Sequence, residues 1–199
     1  GTINKFFNLS YFFGIAGLQN YGLLNDPALS AAITPGTKAA GGTAWVVSGQ
    51  VNATANEIYS DFEALFQRLV NQTAGLVQQD TPMVFSYGPA VASALTATNQ
   101  FNVNVSDLLK KNFPNITMVQ AVQYNALSAT NPQGVAAGNL VQLAAKSLEG
   151  QETGYASYSE KMRAHPVIRH MSSFRQKRSA GTWGAILRMP AAIASMVGV

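Results

Sequence analysis

The stretch that follows Thr54 leaves this chain the least conformational freedom. Thr54, with Glu57 three residues later, has the pattern of a capping box, in which side chain and backbone satisfy each other's free N–H groups at a helix start. Ile58, Phe62, Leu65, Phe66 and Leu69 then recur at helical spacing, and Gly75 supplies a stop. The spacing predicts a helix with one apolar face, and such a face has to be buried.

Other segments alternate between helical and extended periods. Ile3, Phe6, Phe7, Tyr11 and Phe13 fall mostly three or four apart, which predicts the end of a longer helix. Gly14, Gly17 and Gly22 loosen the chain, and Asn25-Asp26-Pro27 and Thr34-Pro35-Gly36 are turn signals. Residues 38–43 read as a small-residue linker, with a domain boundary near them. Thr81-Pro82 introduces an apolar run at 83–85, and Pro89 suits the first turn of a helix over 90–97. Ser106 is expected to cap a brief helix through Lys110. Residues 116–124 suit a half-buried strand, whereas 140–148 fit a strand or a helix. The last fifty residues read as extended structure at 155–158, 167–178 and 183–188, followed by a short helix over 191–196. Without regular βαβ repeats the fold class is α+β, and no solenoid period is present.

Composition bounds the partners. Hydrophobic residues make up 47% of the chain and charged residues only 11%, so Asn, Gln, Ser and Thr must supply much of the polar surface. Such a surface associates readily, because amides are easier to desolvate than ions. No apolar run approaches the roughly 18 residues that cross a bilayer, the richest being 189–199. The start at Gly1, without Met or a signal segment, reads as a fragment or a processed product. With no Cys there is no disulfide framework and no thiolate chemistry. Sequons at Asn8, Asn52, Asn71, Asn104 and Asn115 read as coincidence in an Asn-rich chain. Charge is uneven. Residues 1–150 hold six Lys/Arg and seven Asp/Glu, whereas Lys161, Arg163, Arg169, Arg175, Lys177, Arg178 and Arg188 face only Glu152 and Glu160 in the remainder.

Catalytic chemistry finds little support. His165 and His170 lie five apart around Pro166, a spacing that suits neither an HExxH helix nor one strand face, so no metal site is assigned. There is no GxSxG elbow, no GxGxxG and no Walker lysine, so no nucleophile or phosphate cradle is assigned, and Gly14, Gly17 and Gly22 are read as turns. Glu57, Asp61 and Glu63 could pair as acid and base, but more simply they stabilise a helix N-terminus. No catalytic, cofactor-binding or metal residue is assigned, and the chain is read as a non-enzyme. Arg175-Gln176-Lys177-Arg178, with Phe174 and Trp183 beside it, could meet nucleic acid or present a basic strand face to a neighbouring subunit.

Three blocks resemble major capsid proteins of tailed phages and prophages. They are Glu152-Thr153-Gly154-Tyr155, Ser159-Glu160-Lys161-Met162-Arg163-Ala164-His165-Pro166-Val167, and Gly181-Thr182-Trp183-Gly184-Ala185-Ile186-Leu187-Arg188-Met189-Pro190-Ala191-Ala192-Ile193-Ala194. Tyr21-Gly22-Leu23-Leu24-Asn25-Asp26-Pro27 is similar to the segment where such proteins leave their spine helix. The resemblance implies the Hong Kong 97 type α+β fold. Residues 1–35 would then be the end of the spine helix and its exit, 36–152 an axial domain, and 153–199 strands and a short helix of the peripheral domain. It implies a structural head subunit that forms hexamers and pentamers with itself, touches packaged DNA weakly and non-specifically at most, assembles in the bacterial cytoplasm and ends in the virion. No membrane, small-molecule substrate or cofactor is implied. An encapsulin-like compartment shell shares the fold and stays open as an alternative, as does a basic nucleic-acid-binding module. Trp183 is expected to be largely buried among Ile186, Leu187 and Ile193, at a cost of about 3–5 kcal/mol for Trp183→Ala.

The family's N-terminal arm, extended loop and most of its spine helix have no counterpart here. The 199-residue chain alone is therefore expected not to close into shells; light scattering and electron microscopy should find monomers or small rings, not uniform hollow particles.

Overall fold

The computed structural model describes residues 2–199. In chain order its helices are α1 (Thr2–Phe13), α2 (Ala55–Gln72), α3 (Ala92–Leu95) and α4 (Val105–Asn112). The strands are β1 (Val46–Val47), β2 (Gln50–Val51), β3 (Met83–Tyr87), β4 (Ile116–Gln120), β5 (Leu140–Ala145), β6 (Ser147–Leu148), β7 (Gln151–Glu152), β8 (Gly154–Ala164), β9 (Ile168–Arg169), β10 (Phe174–Arg175), β11 (Arg178–Leu187) and β12 (Ile193–Val197). These form two compact units: one comprises residues up to Pro27 together with 154–188, the other 28–153 together with 189–199. None of the helices is long and apolar enough to cross a membrane.

The second unit is built on a four-stranded sheet in the order β12-β5-β3-β4, parallel between β3 and β4 and antiparallel elsewhere. Helix α2 lies on one face and buries Ile58, Phe62, Leu65 and Leu69, the stripe that the spacing after Thr54 predicts. Phe62 meets Phe85 of β3 and Phe113 edge to face, with ring centroids 5.2 and 5.1 Å apart. β5 is buried on both faces. Its one polar residue there, Gln142, accepts from the Tyr124 hydroxyl at 3.0 Å and donates to Ser195 Oγ at 3.3 Å, so burial leaves the amide paired.

Both halves of the capping box form: Glu57 N donates to Thr54 Oγ1 at 3.3 Å and Thr54 N to Glu57 Oε2 at 2.7 Å. The backbone N–H groups of Thr54 and Ala39 hold the Glu57 carboxyl below the usual carboxylate range. Asp61, one turn further on, is not the dipole-stabilising surface acid expected from the sequence. It points inward and is buried with Lys38, whose ammonium it pairs. Trp45 Nε1 donates to Asp61 Oδ2 at 2.6 Å and Gly36 N to Oδ1 at 2.9 Å, while Lys38 Nζ also donates to Gly36 O at 2.8 Å. The stretch expected to be a free linker at 38–43 is thus docked on α2, because burying two charges together satisfies both.

Several local expectations are corrected. Asn104, not Ser106, caps α4: its Oδ1 accepts from Asp107 N at 2.8 Å, and the helix runs on to Asn112. The open segment 140–148 is strand, as β5 and β6. The helix expected over 90–97 is a 3₁₀ turn at Pro89–Val91 followed by the short α3. The helix expected over 191–196 is a 3₁₀ turn at Pro190–Ala192 followed by strand β12, since so short an apolar run fits either period and the edge of β5 was open to it. By their contacts residues 28–35 and 189–199 fall in the second unit, and the passage from that unit into the hairpin lies between Thr153 and Gly154. Ile33 N donates to Ser195 O at 2.9 Å and so lines the outer edge of β12.

Asp61→Ala should lower the unfolding free energy by about 3–5 kcal/mol, since it strands the buried Lys38 ammonium. Urea titration of the purified protein measures this, and a loss under about 1 kcal/mol would contradict the paired arrangement.

Candidate functional site

Among the described residues no group of three or more His, Asp or Glu side chains could hold a metal ion. His165 Nε2 lies 3.0 Å from Ser179 Oγ across the β8–β11 pair, and His170 is exposed in the turn beyond, so the two imidazoles are not brought to one point. The open groove lined by Phe7, Tyr11, Ala156 and Tyr158 holds phenols but no carboxylate. Burial, aided by the neighbouring Tyr158, raises the Tyr11 pKa there.

The dominant feature of the first unit is an antiparallel hairpin, β8 with β11, along which α1 packs from Ser10 beside Gly184 to Thr2 beside Met162 and Arg178. Phe7 meets Tyr158 of β8 edge to face at 5.1 Å. Gly184 (φ 77°) lets β11 approach the helix, because a Cβ there would sit 2.7 Å from Ser10 O. Gly14 (φ 68°) serves the helix exit in the same way, since its Cβ would lie 2.0 Å from Asn20 O. Gly17 and Gly22 lie in the same exit.

The register of the hairpin slips between Ser179 and Gly184, and this overturns the placement of Trp183. A bulge leaves Trp183 without a strand partner, the buried Gly184 takes the position against α1, and the indole is 63% exposed. Its carbonyl is still held, by Asn20 Nδ2 at 2.8 Å. No periodicity argument could have located a bulge from residue types alone.

At the far end, β9 and β10 form a second small ribbon in which Phe174 pairs with Arg169 and Arg175 with Ile168. Arg163, Arg169, Arg175, Lys177 and Arg178 are all exposed, beside Val167, Ile168, Met171 and Phe174, which are more than half exposed. The Arg169 guanidinium lies 5.9 Å from the Phe174 ring centre. The basic stretch singled out in the sequence is therefore one arm of an exposed tip that is cationic and apolar at once.

A second polar surface was not read from the sequence. Lys146 N donates to Pro82 O at 2.9 Å, which sets the β6–β7 ribbon beside the loop that enters β3. Glu149 and Gly150 (φ 49° and 79°) make the two-residue turn of that ribbon, and Glu149, Glu152 and Asp80 are exposed at this end of the sheet. The Glu-Gly dipeptide between Leu148 and Gln151 was the available signal.

A family model described as the Pa193 gp26 major capsid protein matches residues 1–198. No curated protein sequence matches the chain. Among solved structures it is similar to the capsid of Myoviridae phage XM1, with 12% identity, a TM-score of 0.71, and coverage of 100% of this chain and 62% of that one. A virus-like particle from Pyrococcus furiosus is similar at 12% identity and a TM-score of 0.50, with coverage of 84% and 57%. The chain thus spans about three fifths of the length of these subunits. At such identities the likeness concerns the fold, which is α+β and that of a phage capsid, in keeping with the Hong Kong 97 type.

Trp183→Ala, with the indole in solvent, should change stability by no more than about 0.5 kcal/mol, against the larger loss expected from the sequence. Thermal denaturation of the variant checks the bulge, and a drop of several kcal/mol would place the ring inside.

Proposed function

Because the chain belongs to the Pa193 gp26 major capsid protein family, we propose that it works as a structural subunit of a phage head, joining copies of itself into hexamers and pentamers around packaged DNA. The match over residues 1–198 carries this reading. On it, the first unit corresponds to the peripheral domain and the second to the axial domain, with assembly in the bacterial cytoplasm and residence in the virion. No catalytic step is assigned to any residue.

Physical features support a life in contact with neighbours. The β8–β11 sheet has two strands, and each lacks a further strand partner among the described residues. Isolated two-stranded ribbons are marginal in water, and open edges are templates for pairing with another chain. Sparse charge lowers the cost of bringing copies together. The encapsulin-like alternative shares the fold, and it is the family match that favours the phage head over it.

Negative-stain microscopy of the complete gene product should show uniform hollow particles with DNA-packaging dimensions. A product that stays monomeric at high concentration, or particles that enclose a specific enzyme, would overturn the assignment.

A further inference from the structure

We propose that the tip of the β8–β11 hairpin, residues 161–178, grips a second copy of this chain at the acidic end of its four-stranded sheet, where Asp80, Glu149 and Glu152 stand exposed. The inference rests on the reading as a self-assembling subunit and adds to it which surfaces meet.

The tip carries an unbalanced charge. Lys161, Arg163, Arg169, Arg175, Lys177 and Arg178 lie within it, and no Asp or Glu does. None of these cations forms an ion pair among the described residues, where Lys38–Asp61 is the ion pair found. Like charges held on one narrow ribbon repel, and an acidic partner relieves that repulsion. The partner also has to take up apolar surface, because Met171 is 108% and Ile168 62% exposed, with Val167 and Phe174 beside them.

That pairing of features discriminates between partners. A nucleic acid duplex would neutralise the cations but offer no cover to Val167, Ile168 and Met171, since phosphate contacts dominate its surface. A protein surface can do both. The second unit of this chain carries seven Asp/Glu against five Lys/Arg, the reverse of the first, which carries eight Lys/Arg against two. Its acidic end carries Glu149 on a two-residue turn, Glu152 and Asp80, three carboxylates against the exposed cation Lys146, whose ammonium donates to Thr117 Oγ1 at 2.9 Å, and the loop that leads to Asp80 also exposes Leu76. Tip and acidic end are different surfaces of one molecule. A contact between them is heterologous and can repeat around a rotation axis, as a closed shell requires.

The test uses the complete gene product in low salt, with assembly read by sedimentation and microscopy and folding read by thermal melts. Arg169→Glu with Arg175→Glu should cut assembly by about tenfold or more, and so should Glu149→Lys with Glu152→Lys, because each sets like charges against each other. All four substitutions in one chain restore opposite charges at every contact and should recover most of the loss. Met171→Ser touches a side chain wholly in solvent, so it should weaken assembly without moving the melt. Failure of the fourfold variant to recover, with normal melts, overturns the acidic end as the partner. Normal assembly of Met171→Ser or of the tip-reversed variant overturns the tip as a contact, and shells of normal yield with depleted nucleic acid would assign it to DNA instead. Wild-type protein that never assembles overturns the functional reading itself, a result distinct from the other outcomes.

Discussion

The carboxylate of Asp61 is buried with Lys38, the Trp45 indole N–H and the Gly36 N–H turned toward it, and the second unit depends on that arrangement. It joins the first third of the unit to α2 at one point inside the core. An ion pair removed from water costs more than it returns unless further hydrogen bonds satisfy both partners, and here the Gly36 and Trp45 N–H groups donate to Asp61 while the Gly36 carbonyl accepts from Lys38. The loop therefore cannot leave without stranding a charge. Its fixed path delivers Trp45, 1% exposed, against the buried side of α2, and the small β1–β2 hairpin follows from there.

How much of this could be read in advance depended on the range of the forces involved. The face of α2 was legible because it is local: the capping box and the Ile58, Phe62, Leu65 and Leu69 stripe are decided by residues within one helix. β3 was legible for the same reason, as a short apolar run between Pro82 and Pro89. Asp61 was misread because its role is set by Lys38 and Trp45, which lie far from it along the chain, and an acid in the N-terminal half of a helix has an ordinary local explanation. β12 was misread because an apolar run of five residues has no period long enough to separate helix from strand, so the waiting edge of β5 decided it.

The candidate site divided in the same way. The cationic residues near the end of the chain were visible in the sequence, and so was the thin supply of catalytic groups. The exposure of Trp183 was not, since it follows from a register slip in which Gly184 claims the inward position. The acidic end of the sheet was missed as well, because the segments that carry Asp80 and Glu149 reach the same end through the bond from Lys146 N to Pro82 O. The chemical reading thus followed composition, while the placement of each group followed pairing between distant segments.

The pairing of β12 with β5 has a consequence for the order of events during synthesis. Between Ala145 and Ile193 the chain makes the whole β8–β11 hairpin, so the second unit gains its fourth strand only after the hairpin has left the ribosome. Until then Val141 and Leu143 stand at an open strand edge, and closing so long a loop is slow compared with forming local turns. A nascent subunit whose central sheet is finished is therefore one whose hairpin already exists. Chain connectivity alone lets the completed core serve as a timer, withholding a mature subunit surface until the hairpin has been translated.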